Sequence, residues 1–139
     1  MSPIVEKRFE YKGYPCVVLF QEMCYRCGYV GIPKGFPTDS RIENINCHGG
    51  ITYTENYLYG QDDPVFLWIG FDCVHWRDGF DYEAGREYYK DDSGVLKRID
   101  NWEEIHSHEP FERFAPKTLA FVENECTHIV DQLTSEVFQ

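Results

Sequence analysis

Two short stretches hold side chains and glycines in combinations that can do chemistry. The first is Cys47-His48-Gly49-Gly50. Paired glycines let backbone approach a ligand closely, and successive N–H groups can form an anion-binding nest. The second is Gly70-Phe71-Asp72-Cys73-Val74-His75-Trp76-Arg77-Asp78. It sets a carboxylate, a thiol, an imidazole and a second carboxylate where a strongly apolar run ends, and rigid scaffold meeting free loop is where sites gather. His48, Asp72, His75 and Asp78 make a nitrogen and oxygen donor set suited to a catalytic Zn or Mn. An ion held there with an open position would activate water for hydrolysis. A thiol-based alternative uses Cys24 and Cys27, a C-x-x-C pair, with Cys47 and Cys73 around a tetrahedral Zn. Each motif also has a plainer reading, the glycine pair as a turn and the cysteine as a small hydrophobe.

The elements that must position these groups follow from pattern. Arg8 to Tyr11, Lys12-Gly13 and Tyr14 to Phe20 read as a β-hairpin with a glycine turn. Cys27 to Pro33 is a third strand, Gly50 to Thr54 a short fourth, and Val65 to Asp72 the strongest of the five. Alternation puts Val65, Leu67, Ile69 and Phe71 on one face, and Phe66, Trp68, Gly70 and Asp72 on the other. Pairing of the fourth and fifth strands would set His48 and Thr52 beside Trp68, Gly70 and Asp72. Tyr82 to Tyr89 suits a short helix, and 91–114 reads as polar and irregular, with a helical fragment at Asn101 to Ile105. From Pro116 to about Thr134, Leu119, Val122, Cys126, Ile129, Val130 and Leu133 recur at helical spacing, with Pro116 at the first helical position. The expected fold is α+β: an antiparallel sheet of about five strands with the C-terminal helix packed on one face.

Bulk properties narrow the function classes. At 139 residues the chain suits one domain, spanning 1–139, that buries about two-thirds of its unfolded surface. Thirteen Lys and Arg against 24 Asp and Glu leave a net charge of −11, which disfavours direct contact with nucleic acid. Aromatic residues are 17% of the chain, more than a core of this size needs, which points to a pocket or a partner surface. The longest apolar run, Val65 to Phe71, is far below the roughly 20 residues of a membrane span. No apolar secretion segment opens the sequence, so cytoplasmic residence and reduced thiols are expected. Walker-type, G-x-G-x-x-G, H-E-x-x-H and G-x-S-x-G signatures do not occur.

The runs Arg26 to Gly35, His48-Gly49-Gly50-Ile51-Thr52-Tyr53 and Gly70 to His75 with Asp78 resemble a family of small bacteriophage and prophage proteins. Its motifs are an HGG-(L/I)-T-Y stretch followed by GFDC-x-H-x-x-D. The likeness spans about residues 14–80 and the final helix in outline, with 79–114 resembling an irregular insertion. It implies a phage accessory protein in the host bacterial cytoplasm, acting against host defence. Three modes of action fit. The first is sequestration of a nucleotide-type ligand by a homo-oligomer, with His48, Gly49, Gly50, Thr52, Asp72 and His75 lining the site. Trp68 or Tyr53 would then stack a base, and Arg26 or Arg77 would meet phosphate. The second is metal-dependent hydrolysis of phosphoester or nucleotide substrates by His48, Asp72, His75 and Asp78. The third is an acidic inhibitor of a host defence or DNA-handling protein.

Overall fold

The computed structural model describes residues 3–36, 42, 44–75, 78–107 and 114–135. Five strands form one antiparallel sheet: β1 (Ile4–Tyr11), β2 (Tyr14–Phe20), β3 (Arg26–Pro33), β4 (Tyr53–Glu55) and β5 (Val65–Asp72), in the order β1-β2-β3-β5-β4. Lys12 and Gly13, at φ 54 and 85, make the tight hairpin between β1 and β2. Two positive φ values are what a type I′ turn demands. β1 starts earlier than its apolar residues announce, because a bulge at Glu6 breaks the alternation between Val5 and Lys7.

Among the described residues three helices follow: α1 (Tyr82–Tyr88), α2 (Ser93–His106) and α3 (Leu119–Leu133). Asp81, Asp92 and Thr118 cap them by accepting from the backbone N–H of Ala84, Val95 and Phe121. Such caps satisfy donors that the first turn leaves open. Two expectations are corrected here. The stretch read as irregular holds the 14-residue α2, whose Val95 and Ile99 are fully buried. And α3 starts after Thr118, not at Pro116, which instead forms a parallel bridge with Gly79.

The α3 stripe of Val122, Cys126, Ile129, Val130 and Leu133 packs on Cys16, Val18, Val30, Ile32, Ile69 and Phe71. Each large apolar side chain buried there contributes roughly 1.5–3 kcal/mol. On the opposite sheet face Val17, Leu19, Cys27, Tyr29, Val65 and Trp68 are closed over by Leu58. Arg8 anchors that covering loop through Gln61 and Asp63. Val65 joins this second face because the ladder slips between Ile32 and Pro33. A third cluster joins Phe20 and Cys24 to Tyr82, Tyr89, Val95 and Ile99, seating α1 and α2 against the end of β2.

Glycines let large rings cross between β3 and β5. A Cβ on Gly28 would lie 2.6 Å from the Phe71 ring, one on Gly31 3.0 Å from Trp68, and one on Gly70 2.4 Å from Tyr29. The partners are cross-strand neighbours, so each ring lies flat over the glycine opposite.

Candidate metal centre and adjoining cavity

The end of β5 and the loop before β4 converge against α3. Asn46 exchanges hydrogen bonds with Gln132: its N–H donates to Oε1 at 2.8 Å and its C=O accepts from Nε2 at 2.7 Å. The His48 N–H donates to Glu125 Oε1 at 2.7 Å. A turn then closes from Gly50 N–H to Cys47 C=O at 2.9 Å, with Gly49 at φ 71 as its third residue. A positive φ there is the type II requirement, and glycine meets it without strain. His48 therefore reaches the site from a turn and not along an extended strand, since β4 begins only at Tyr53.

The β5 end contributes the rest. Asp72 accepts from Thr52 Oγ1 at 3.1 Å and from Val74 N–H at 3.3 Å. Beyond it His75 and Asp78 close a turn: the His75 N–H donates to Asp78 Oδ2 at 3.0 Å, and the Asp78 N–H to the His75 C=O at 2.8 Å. Asp78 is 2% exposed, and both its carboxylate oxygens lie 2.9 Å from His48 Nε2. Ligand atoms of His48, His75 and Asp78 all lie within 4.8 Å of one another. The imidazole rings meet edge to face at 5.4 Å.

His75 Nε2 is buried and has no hydrogen-bond partner among the described residues. Asp72 Oδ1 is 3.5 Å away, beyond ordinary hydrogen-bond length. A Cβ on Gly49 would fall 2.1 Å from this nitrogen, so the turn itself roofs the ring. A buried, unpaired ring nitrogen beside a second imidazole and a buried carboxylate is the donor set of a two-histidine, one-carboxylate centre. Asp72 belongs to the expected four-residue set but lies outside the mutual 4.8 Å spacing, next to His75 alone.

Three further residues complete the surroundings, and no local motif marks any of them. Lys117 Nζ stands 3.9 Å from Asp78 Oδ1 and 5.4 Å from the centre of the Phe121 ring. Phe121 meets the His48 ring edge-on at 5.3 Å, and Glu125 holds the His48 backbone. They come from α3 and its approach, far away in sequence.

On the other side of Asp72 lies a cavity of about 280 Å³. Cys27, Tyr29 and Phe71 form its buried floor, Tyr25 and Tyr53 its walls, and Gln21, Thr52, Asp72 and Val74 its rim. Asp72 thus belongs to both the cavity and the surroundings of His75.

Several expected contacts are not made. Arg26, expected to meet phosphate, is 6% exposed and committed to protein. Its guanidinium donates to both Glu6 oxygens at 2.7 and 2.9 Å, to Asp81 Oδ2 at 2.8 Å and to the Lys117 C=O at 3.0 Å. Trp68, expected to stack a base, is 1% exposed under the Leu58 loop. It sits four residues up β5 from Asp72, about 13 Å along the strand. Arg77 lies outside the described residues. The four thiols of the alternative set are not gathered: Cys24 belongs to the cluster of α1 and α2, Cys27 to the cavity floor, and Cys47 and Cys73 to the core beneath α3. Burial pushes the Cys24 thiol up to about 12 and those of Cys27 and Cys47 up to about 11. None of the six cysteines is in a disulfide. Among the described residues no helix is long and apolar enough to cross a membrane. Compared with protein-family models, curated proteins and solved structures, the chain matches none.

Proposed function

We propose that this chain is a metal-dependent hydrolase of a phosphoester, with nucleotide-type substrates as the class. The observation that carries the proposal is the convergence of His48, His75 and Asp78 within 4.8 Å, with His75 Nε2 buried and unpaired. His48, His75 and Asp78 would hold a divalent ion with one position open for water, and such an ion would lower the pKa of that water toward about 7. Hydrolysis would then be the net addition of one water across the P–O bond, its hydroxyl going to phosphorus and its proton to the leaving oxygen. Lys117, beside Asp78, supplies a fixed cation for the charge that develops on the phosphoryl oxygens. Arg26 is already saturated, so phosphate contact falls to the ion and to Lys117.

A second reading is sequestration without turnover, favoured by the tyrosine-walled cavity, which needs only affinity to be useful. Either activity suits a small phage or prophage accessory protein that removes a nucleotide signal in the host cytoplasm. The test is metal analysis of protein purified without chelator, followed by a panel of cyclic and linear nucleotides offered to the wild type, His75→Ala and Asp78→Asn. Stoichiometric Zn or Mn, with conversion lost in both variants, is the expected result. Nucleotide bound but unchanged would replace hydrolysis by sequestration. Neither metal nor nucleotide would overturn both and leave the acidic inhibitor of a host protein.

A further inference from the structure

We infer that the cavity beside the metal centre binds a neutral planar ring bearing an amino group, such as the base of an adenine or cytosine nucleotide. As the place that selects the substrate's base, this rests on the metal-centre proposal. As a ring-binding cavity, it stands on its own geometry.

Size, wall chemistry and charge agree. About 280 Å³ lies just under the range of drug-sized sites, enough for one base and too little for a dinucleotide. The walls are aromatic and held in place. Tyr53 Oη donates to the Tyr57 C=O at 2.6 Å, and its ring meets Tyr29 edge-on at 5.2 Å. Tyr29 in turn lies over Gly70. A wall fixed in this way loses little freedom when a ring stacks on it.

The rim offers acceptors. Thr52 spends its hydroxyl proton on Asp72, which leaves its oxygen as an acceptor. Gln21 turns its amide nitrogen toward Cys27 Sγ at 3.7 Å, which leaves its carbonyl oxygen as the acceptor end. The Asp72 carboxylate completes the set, and among the described residues no Lys or Arg lines the cavity. Such a rim repels phosphate and calls for a hydrogen-bond donor. Uracil and hypoxanthine offer this rim a single ring N–H and no exocyclic amino group, so they would leave one of its acceptors desolvated and unpaired, the situation that gives polar pockets their selectivity. Because Asp72 also stands next to His75, a base in the cavity would leave its phosphate on the side of the metal centre and Lys117.

The test separates this inference from the metal centre by using nucleosides, which carry no phosphate. Adenosine, cytidine, uridine and inosine are titrated into the wild type, Tyr53→Ala, Tyr53→Phe and His75→Ala, with binding read by calorimetry and folding by thermal melting. Adenosine or cytidine should bind the wild type and His75→Ala equally, and more tightly than uridine or inosine. Tyr53→Ala should weaken that binding about tenfold while Tyr53→Phe retains it, the loss expected for one stacked base. No nucleoside bound at millimolar concentration, or equal binding by a folded Tyr53→Ala, would overturn the inference. The metal centre is read separately: adenosine monophosphate should gain affinity over adenosine only when Zn²⁺ is added, and only with His75 intact.

Discussion

Alanine at Gly49 and alanine at Gly50 should have nearly the same effect on folding, and only the first should weaken metal binding. Both glycines hold positive φ, 71 and 81. A residue with a Cβ pays roughly 1–2 kcal/mol to adopt that conformation. For a chain of this size the melting temperature should fall by roughly 3–8 °C in either variant. The surroundings differ. A Cβ at Gly50 meets nothing within 4 Å, whereas at Gly49 it falls 2.1 Å from His75 Nε2. Contacts below 3.0 Å are not sustained, so the imidazole must retreat by about 0.9 Å. A metal site tolerates about 0.2 Å in its ligand distances. Gly49→Ala should therefore lose one ligand and about 100-fold or more in Zn²⁺ affinity, and Gly50→Ala should keep the wild-type value. Competition with a chromophoric chelator measures the affinity, and circular dichroism the melting. If folded Gly49→Ala binds Zn²⁺ as the wild type does, or both variants lose it alike, His75 is not a ligand.

Two further outcomes follow from buried charge and buried thiols. Arg26→Met leaves Glu6, whose side chain is 3% exposed, without its cation. Urea unfolding should show a loss of about 3–5 kcal/mol, part of which Glu6→Gln should restore in the double variant, while nucleotide affinity of the folded variant stays unchanged. A selective loss of affinity with stability intact would return Arg26 to phosphate binding. Burial raises Cys16 and Cys24 from 9.0 to about 12, so the folded chain keeps protons that the unfolded chain releases. Their contribution to stability is fully present below about pH 9 and is lost as pH rises toward 12, at roughly 1.4 kcal/mol per pH unit for each thiol. Melting temperatures measured from pH 7 to 11 should stay level and then fall, with a shallower fall in Cys16→Val. An equal slope in that variant would show that other groups control the alkaline limb.

The sheet was legible because its strands carry continuous apolar and β-branched runs, and Lys12-Gly13 marks the hairpin turn. α3 was legible from its five-residue stripe. α2 was not, because its buried stripe is narrow: Val95 and Ile99 are fully buried and Trp102 only partly, among eight polar residues of the same helix. Asp92 as a cap and the 4-3-4 spacing of Val95, Ile99, Trp102 and His106 were the signals available. In the candidate site His48, His75 and Asp78 were named from motif composition, and the structure brings them together. The route differed, since a turn held by Glu125 delivers His48, and no strand periodicity encodes a turn. The burial of Arg26 is not legible locally, because a lone arginine next to a strand gives no sign of Glu6 or Asp81, which lie 20 and 55 residues away. Alternation puts Trp68 on the face it occupies, but no pattern around Leu58 shows that its loop closes over that face.

The rings lying over glycines on β3 and β5 bear on how such a chain can change over generations. Phe71 occupies the space a side chain at Gly28 would need, Tyr29 the space at Gly70, and Trp68 part of the space at Gly31. Each pair is therefore inherited as a unit, because a larger residue at the glycine is admitted only after the ring opposite has become smaller. Tyr29 is also part of the cavity floor. A lineage that trims Tyr29 reshapes the cavity and still gains no freedom at Gly70, where the Gly28 carbonyl oxygen lies 2.7 Å from the place of a Cβ. Selection on the ligand would then set the pace at which the central strand pair drifts.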